Sequence, residues 1–224
     1  PDSAPPPHNE GDMTDPARFQ PGETLEPLEA ERRDALSDAL GQLCRLGELK
    51  AEARASLEQA LLPLARAAEA RVRASMAEAL ADADWAPPGV LRWLAFDRLE
   101  VARPVLERSL MLSEADLLAL ADSDLSRRLV IAGRISLSET VCAALARHRE
   151  PEVIHKLAGN PGALIGAEST SDFMAVARAD AALQEALAGR EQLPRAFARS
   201  LYVFAAIQVR SALLDRFPDL PRDR

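Results

Sequence analysis

The chain repeats itself between residues 90 and 190, and this repetition restricts its fold more than any other feature. The sequence IAGR at 131–134 returns as LAGN at 157–160 and as LAGR at 187–190, while LSE at 112–114 returns at 137–139. A unit of about 25 residues cannot bury its apolar side chains alone, so it must stack on neighbouring units. The repetition therefore predicts a solenoid of short elements.

Each unit carries signals for two short helices. Ser113 and Ser138 stand in the LSE motif, where a serine hydroxyl can cap the first amide groups of a helix. The polar stretches 122–124 and 148–151 predict turns between the paired helices, and Pro151 suits the first turn of the second helix. Three glycines are predicted to end helices in the left-handed conformation: Gly133, Gly159 and Gly189.

The composition fits a core built from helices. Hydrophobic residues make up 48% of the chain and aromatic residues only 4%, so Leu and Ala must fill the core. Small and medium aliphatic side chains favour packed helices over a sheet. No segment shows sustained two-residue alternation, and we predict no strands.

The pattern divides the chain into four segments. Residues 1–27 hold seven of the 16 prolines, which predicts an extended or disordered arm over 1–25. N-terminal helices are predicted over 26–86, with a kink or a new helix start at Pro63, and the HEAT-like repeats over 87–191. Residues 192–224 form a C-terminal helix and tail. The stretch LYVFAAIQVRSALL at 201–214 is apolar almost all round, which predicts a hydrophobic capping helix or the seam of a homodimer.

Charge and cysteine content restrict the partners and the compartment. The net charge of −8 and a pI near 5.0 argue against nonspecific binding to nucleic acid. Cys44 and Cys142 are far apart, which indicates reduced core residues rather than a disulfide. No run of 18 apolar residues and no charged-plus-apolar leader is visible. We therefore predict no membrane contact, no export and a cytoplasmic location.

Several motifs, taken in their order along the chain, resemble those of known protein families. The segment LARHREPEVIHKLAGNPGALI at 145–165 resembles HEAT-like and leucine-rich-repeat-variant helical repeats. With VARPVLERSLMLSEADLLALA at 101–121, RISLSETVCAALA at 134–146 and AGREQLP at 188–194, it is similar to the alphaproteobacterial family catalogued as domain of unknown function 2336. The resemblance covers about residues 30–215. It implies a helical-repeat fold, and it implies neither an established activity nor any catalytic residue.

Taken together, these observations predict an all-α fold. Its architecture is a right-handed α-solenoid of HEAT-like helical pairs with a hydrophobic C-terminal capping helix. No glycine-rich loop follows a strand, no serine elbow is recognisable, and Cys142, His148 and His155 do not follow a standard metal-ligand spacing. We therefore predict no cofactor, no metal and no catalytic residues.

His155 is the one residue with a possible chemical role. A histidine on a helix followed by x-Leu-x-Gly is roughly how a phosphorelay domain presents its phosphate acceptor. The equivalent positions in the other two signatures are Leu129 and Glu185, however, and Ala158 stands where the phosphorelay pattern wants a lysine. We favour a surface or inter-repeat histidine, with a phosphoacceptor as the alternative.

The arginines of the repeats are the predicted partner-binding residues. Helical solenoids expose one face of every unit, and arginines there could hold carboxylates or phosphates. This arginine column comprises Arg127, Arg128, Arg134, Arg178 and Arg190. The leading function is a non-enzymatic scaffold or adaptor that binds a protein partner in bacterial regulation. The alternatives are a phosphorelay component using His155 and a nucleic-acid-binding HEAT-like protein.

Overall fold

A computed structural model describes residues 51–220 of the 224-residue chain. The predicted arm over 1–25, the helices predicted over 26–50 and Cys44 lie outside the described residues. Within them the chain is helical, and its nearest approach to a sheet is a single parallel bridge between Leu137 and Ala163. No helix among the described residues is long and apolar enough to cross a membrane.

Twelve α-helices make up the described part of the chain. They are α1 Ala51–Ala67, α2 Ala70–Leu80, α3 Pro88–Ala95, α4 Leu99–Arg108, α5 Glu114–Ala121, α6 Leu125–Ala132, α7 Glu139–Ala146, α8 Pro151–Gly159, α9 Thr170–Ala177, α10 Ala181–Gly189, α11 Arg195–Tyr202 and α12 Ile207–Arg216. A short 3₁₀ helix, Ala167–Ser169, precedes α9.

The helices form two layers. Each odd-numbered helix packs against the even-numbered helix that follows it, which gives six helical pairs. The even-numbered helices pack on one another in order from α2 to α12, and among the odd-numbered helices α1 packs on α3, α5 on α7 and α9 on α11. This arrangement is consistent with an α-solenoid. The layers extend on both sides beyond the predicted repeat segment 87–191.

The repeated motifs occupy equivalent places in this stack. The three Ala-Gly signatures lie at the ends of the even-numbered helices α6, α8 and α10. The hydroxyl of Ser113 accepts from the amide of Asp116 at the start of α5, and that of Ser138 accepts from the amide of Val141 at the start of α7. The predicted serine caps and repeat register are therefore confirmed. Asp124 and Asp180 cap α6 and α10 in the same way.

The glycine prediction is wrong. Gly133 ends α6 with φ −89, and Gly159 and Gly189 are the last residues of helices α8 and α10. Among the described non-glycine residues the left-handed region is taken by Arg149, with φ 52, in the turn between α7 and α8. The helices end by i→i+3 backbone bonds such as Gly133 N–H to the Val130 carbonyl, and these need no positive φ.

Two other local predictions differ from the structure. Helix α1 continues through Pro63, so no new helix begins there, and the kink predicted as the other possibility stays a prediction. The apolar stretch 201–214 is divided between α11 and α12, because the chain turns at residues 203–206. The capping role and the homodimer seam predicted for this stretch stay predictions.

One apolar core runs through the whole stack. It begins at Leu61, ends at Leu220 and takes side chains from every helix between them. Phe173 and Phe197 meet edge to face at 5.5 Å between ring centroids. Cys142 is buried in this core as a free thiol, and burial raises its pKa to about 12, so it is a poor nucleophile.

Candidate interaction edge

The two ends of the helices form two edges of the stack. We call the loop edge the side where even-numbered helices end and odd-numbered helices begin; its segments include 81–87, 109–113, 133–138, 160–169 and 190–194. We call the turn edge the opposite side, where the two helices of a pair are joined; its segments include 96–98, 122–124, 147–150, 178–180 and 203–206. The residues predicted as functional divide between these edges.

At the loop edge, the residue after each Ala-Gly signature reaches back to the end of the preceding even-numbered helix. The guanidinium of Arg134 donates to the carbonyls of Leu106 and Ser109, each at 2.5 Å, at the end of α4. The amide of Asn160 donates to the carbonyls of Ala132 and Arg134, at 2.9 and 2.7 Å, at the end of α6. These carbonyls have no partner within their own helices, so each bond satisfies an otherwise orphaned acceptor.

Arg190 and Arg216 continue this series. One nitrogen of Arg190 donates to three carbonyls at and after the end of α8, at 2.8 to 3.0 Å, and the other donates to Ala163 at 2.6 Å. Arg216 donates to the carbonyls of Ala188 and Glu191, at 2.6 and 2.8 Å, at the end of α10. A cation at a helix C-terminus also opposes the macrodipole. We call the side chains of Arg134, Asn160, Arg190 and Arg216 the carbonyl braces.

Two of the braces are arginines held away from water without a carboxylate. Arg134 is only 6% exposed, and burial lowers its pKa and that of Arg190. The Nε atoms of both side chains are buried and have no hydrogen-bond partner among the described residues. Their positive charge is compensated by the partial charge of helix carbonyls, so they are structural residues of the edge.

At the turn edge, cations meet carboxylates instead. Arg128 is 6% exposed and contacts both oxygens of Glu150, at 2.6 and 2.7 Å, while also donating to the carbonyl of Ser123. Arg127 donates to the carboxylate of Asp124 and to the carbonyl of Asp97. Hydrogen bonds from Arg128 to Glu150, and from the Arg127 amide to Asp124, hold the pKa of each carboxyl below its usual value.

The predicted exposed arginine column is therefore corrected. Arg134 and Arg190 lie at the loop edge, Arg127, Arg128 and Arg178 lie at the turn edge, and the two most deeply buried are Arg128 and Arg134. Of the five, Arg178 has an exposed side chain, and its guanidinium lies 5.0 Å from the ring centroid of Phe204. The repeat places arginines at recurring positions because the helix ends need donors there, and spacing alone could not distinguish this need from partner binding.

His155 lies between two units of the stack. Its Nε2 is 2.6 Å from Oδ2 of Asp180, the residue that caps α10, and its side chain is 38% exposed. This hydrogen bond lowers the pKa of the Asp180 carboxyl. The side chain of Lys156 lies beside Gly133 on the preceding unit. Among the described residues no group of three or more His, Cys, Asp or Glu could hold a metal ion.

The loop edge exposes large apolar side chains in three successive segments. Leu110, Ile135 and Leu164 are 77%, 82% and 48% exposed, whereas Leu112 and Leu137, two residues after the first two, are buried. Turns and bends occupy residues 110–112 and 133–135, so in each segment the first apolar side chain points away from the core and the one two residues later points into it. Sequence reasoning missed these positions, although the shared pattern of LMLSE at 110–114 and ISLSE at 135–139 records them.

Carboxylates accompany these side chains. Glu114, Glu139, Glu168 and Glu191 are exposed at or just before the starts of α5, α7, α9 and α11. The hydroxyl of Ser138 donates to Glu114, which links neighbouring units. No ion pair joins any of these four carboxylates to a cation among the described residues, so each is available to pair with a cation of a ligand.

A groove opens in the loop edge between two of its segments. It has a volume of about 480 Å³ and is lined by residues 163–165 and 191–194 together with Glu139, Arg216 and Phe217. The braces determine its shape, because Arg190 joins the two sides through the carbonyl of Ala163. The groove is thus a built part of the edge.

Comparison with known proteins identifies one related group. A family model described as an uncharacterised protein conserved in bacteria (DUF2336) matches residues 101–224. The match includes the loop-edge segments 109–113, 133–138, 160–169 and 190–194. No curated protein and no solved structure matches the chain.

Proposed function

We propose that this chain, which belongs to the DUF2336 family of bacterial proteins, is a non-enzymatic scaffold or adaptor that binds a protein partner along its loop edge. In this proposal it acts in the bacterial cytoplasm, in a regulatory role. Its body is a right-handed α-solenoid of HEAT-like helical pairs, and the last helix caps the stack. The binding surface is the loop edge rather than the arginine column.

One observation carries the proposal: Leu110, Ile135 and Leu164 are exposed in successive segments of a braced edge. Leaving a Leu or Ile side chain in water forgoes about 1.5–3 kcal/mol of burial free energy. Single exposed apolar residues need no explanation, but an aligned series on a rigid scaffold is typical of an interaction surface. A partner that covered the series would recover that free energy.

The two alternatives receive less support from the same geometry. A phosphate acceptor at Nε2 of His155 would have to displace the bond to Asp180. For nucleic acid, Arg127 and Arg128 are already engaged by Asp124 and Glu150, and the unpaired carboxylates of the loop edge would repel phosphates. No contact of the described residues favours either alternative over a protein partner.

Affinity capture from the native bacterium tests the proposal. Tagged wild-type chain is compared with Leu110→Ser/Ile135→Ser/Leu164→Ser, and bound proteins are quantified by mass spectrometry. The matched control is Phe96→Ser/Val203→Ser/Ile207→Ser, because these three exposed apolar residues lie at the turn edge. Thermal unfolding verifies that all three chains are folded.

We expect at least one protein to be retained by the wild type and the control and lost from the loop-edge variant. The same bound proteins on all three chains, or a loss confined to the turn-edge control, would overturn the proposal.

A further inference from the structure

We infer that the groove at the loop edge binds a basic, apolar peptide segment of the protein partner. A Lys or Arg side chain of the segment lies between Glu139 and Glu191, and a bulky aliphatic or aromatic side chain packs beside Leu164. This inference rests on the proposed function and names the chemistry of the partner.

The walls of the groove combine apolar and polar side chains. Leu164, Ile165, Leu193, Pro194 and Phe217 contribute to them, and Leu164 is half exposed at the rim. Its volume of about 480 Å³ falls in the range of about 300–1,000 Å³ that is usual for ligand pockets. The groove can therefore hold a large side chain of a partner without rearrangement.

The charged groups around the groove determine which charge a bound peptide segment must carry. Glu139 stands at the start of α7 and Glu191 on the facing loop, and neither forms an ion pair with a cation of the described residues. Arg216 also lines the groove, but its guanidinium donates to the carbonyls of Ala188 and Glu191 and lies 5.6 Å from the ring centroid of Phe217. The charge left for a ligand is negative, which is complementary to Lys or Arg.

The groove is held open by contacts on both sides. Arg190 donates to the carbonyls of Asn160 and Ala163, at 2.9 and 2.6 Å, and thereby fixes loop 160–166 against the loop that carries Glu191. The amide of Leu164 donates to the carbonyl of Leu137 at 3.0 Å. A Cβ on Gly162 would lie 1.8 Å from the carbonyl oxygen of Ile135, so the loop packs directly on the preceding unit. Such preorganisation lowers the ordering cost of binding.

The open shape and the sign of the charge favour a peptide as the occupant. Nucleic acid is disfavoured because its phosphates would face Glu139 and Glu191. The exposed side chain of Leu164 belongs both to the groove and to the series with Ile135, so a segment in the groove can continue along the edge. A protein segment uses both features, whereas a compact small molecule uses only the groove.

Selection from a displayed library of random dodecapeptides on the full chain tests the inference. We expect the enriched peptides to carry Lys or Arg together with a bulky apolar residue. Fluorescence anisotropy with the most enriched peptide should show that Glu139→Gln/Glu191→Gln weakens binding about tenfold, and that added salt weakens binding to the wild type.

The matched control is Glu100→Gln/Glu152→Gln, which removes two exposed first-turn carboxylates from the turn edge. This variant should bind the peptide within about twofold of the wild type. No enriched peptide, enriched peptides without basic residues, or equal weakening by both double variants would overturn the inference.

The same variants separate this inference from the proposed function. A partner that is lost from the triple serine variant at Leu110, Ile135 and Leu164 but fully retained by Glu139→Gln/Glu191→Gln would overturn the groove and leave the loop edge as the binding surface. A partner that is retained by the triple serine variant would overturn the proposed function itself.

Discussion

The loop edge and the turn edge hold the same stack of helices together with different chemistry. At the loop edge, Arg134, Asn160 and Arg190 donate to uncharged carbonyls at helix C-termini. At the turn edge, Arg128 and His155 contact Glu150 and Asp180, the acidic residues that stand before helix N-termini. Both edges hold helix C-termini and helix N-termini, but their bracing contacts differ. At the loop edge, donors reach the carbonyl ends of even-numbered helices, whereas at the turn edge, cations reach the acidic residues that precede even-numbered helices.

This difference in bracing determines which charged groups of each edge remain free to contact other molecules. Several cations and carboxylates of the turn edge already pair with one another, as in Arg128–Glu150 and Arg127–Asp124. At the loop edge the bracing arginines contact backbone instead, so carboxylates such as Glu139 and Glu191 keep their charge without a partner among the described residues. Internal bracing thus leaves these carboxylates without an ion-pair partner beside the exposed side chains of Leu110, Ile135 and Leu164.

Among substitutions of polar side chains, the largest effect is expected where a carbonyl brace is removed. Arg134→Met keeps much of the side-chain volume but leaves the carbonyls of Leu106 and Ser109 without their donor. We expect the free energy of unfolding to fall by about 2–3 kcal/mol, because buried acceptors lose charged hydrogen bonds. Urea unfolding of the wild type and the variant measures this change.

The control for this prediction is Arg103→Met, which removes an exposed i,i+4 ion pair with Glu107. Such pairs contribute about 0.2–1 kcal/mol. If Arg134→Met cost no more than Arg103→Met, the carbonyl braces would not stabilise the loop edge, and the contrast between the edges would fail.

A smaller effect should appear as pH dependence at the turn edge alone. The pKa of Glu150 is held below its usual value by the hydrogen bond from Arg128, and that of Asp124 by the Arg127 amide. Since these pKa values are lower in the folded than in the unfolded chain, their stabilisation is present above the unfolded pKa values of 4.5 and 3.8. It is lost as pH falls from about 5 towards 3.

The double variant Arg128→Met/Glu150→Gln should lose about 1 kcal/mol of this pH-dependent part. Arg134→Met should keep the slope of the wild type, because its partners are carbonyls that do not titrate. Urea unfolding at pH 3.5, 4.5 and 6 measures both slopes. Equal slopes for the two variants would contradict the assignment of different chemistry to the two edges.

The sequence predicts the helices of this fold better than their ends. Repetition of the LSE and Ala-Gly motifs was sufficient to predict paired helices and the caps at Ser113 and Ser138, because those signals are local. The role of Arg134 was not predictable, since its carbonyl partners lie 25 and 28 residues away in the preceding unit. From the sequence alone, an arginine that recurs in each repeat is predicted to be exposed, and only the stacking of the units shows that it is buried.

The candidate site was missed for a related reason. Ile135 and Leu137 read alike in the sequence as apolar residues before a helix, and only the packing of the preceding and following units decides which one is buried. The prediction for the glycines was wrong because it assumed a structural requirement that these positions do not have. Gly159 and Gly189 suggested left-handed helix ends, but a Cβ at either position would meet nothing within 4 Å.

The smallest expected effect sharpens the comparison most. Ile135→Ser should change the free energy of unfolding by less than about 0.5 kcal/mol, because the side chain is 82% exposed. Leu137→Ala, two residues further on, should cost about 2–4 kcal/mol, because that side chain is only 2% exposed. Urea unfolding of both variants under one set of conditions measures the difference between the two losses of stability.

A loss of 2 kcal/mol or more for Ile135→Ser would mean that the loop edge needs its exposed apolar residues for its own stability. A near-zero loss would leave binding as the reason that an isoleucine stands in water at the same position of the repeat as Leu110.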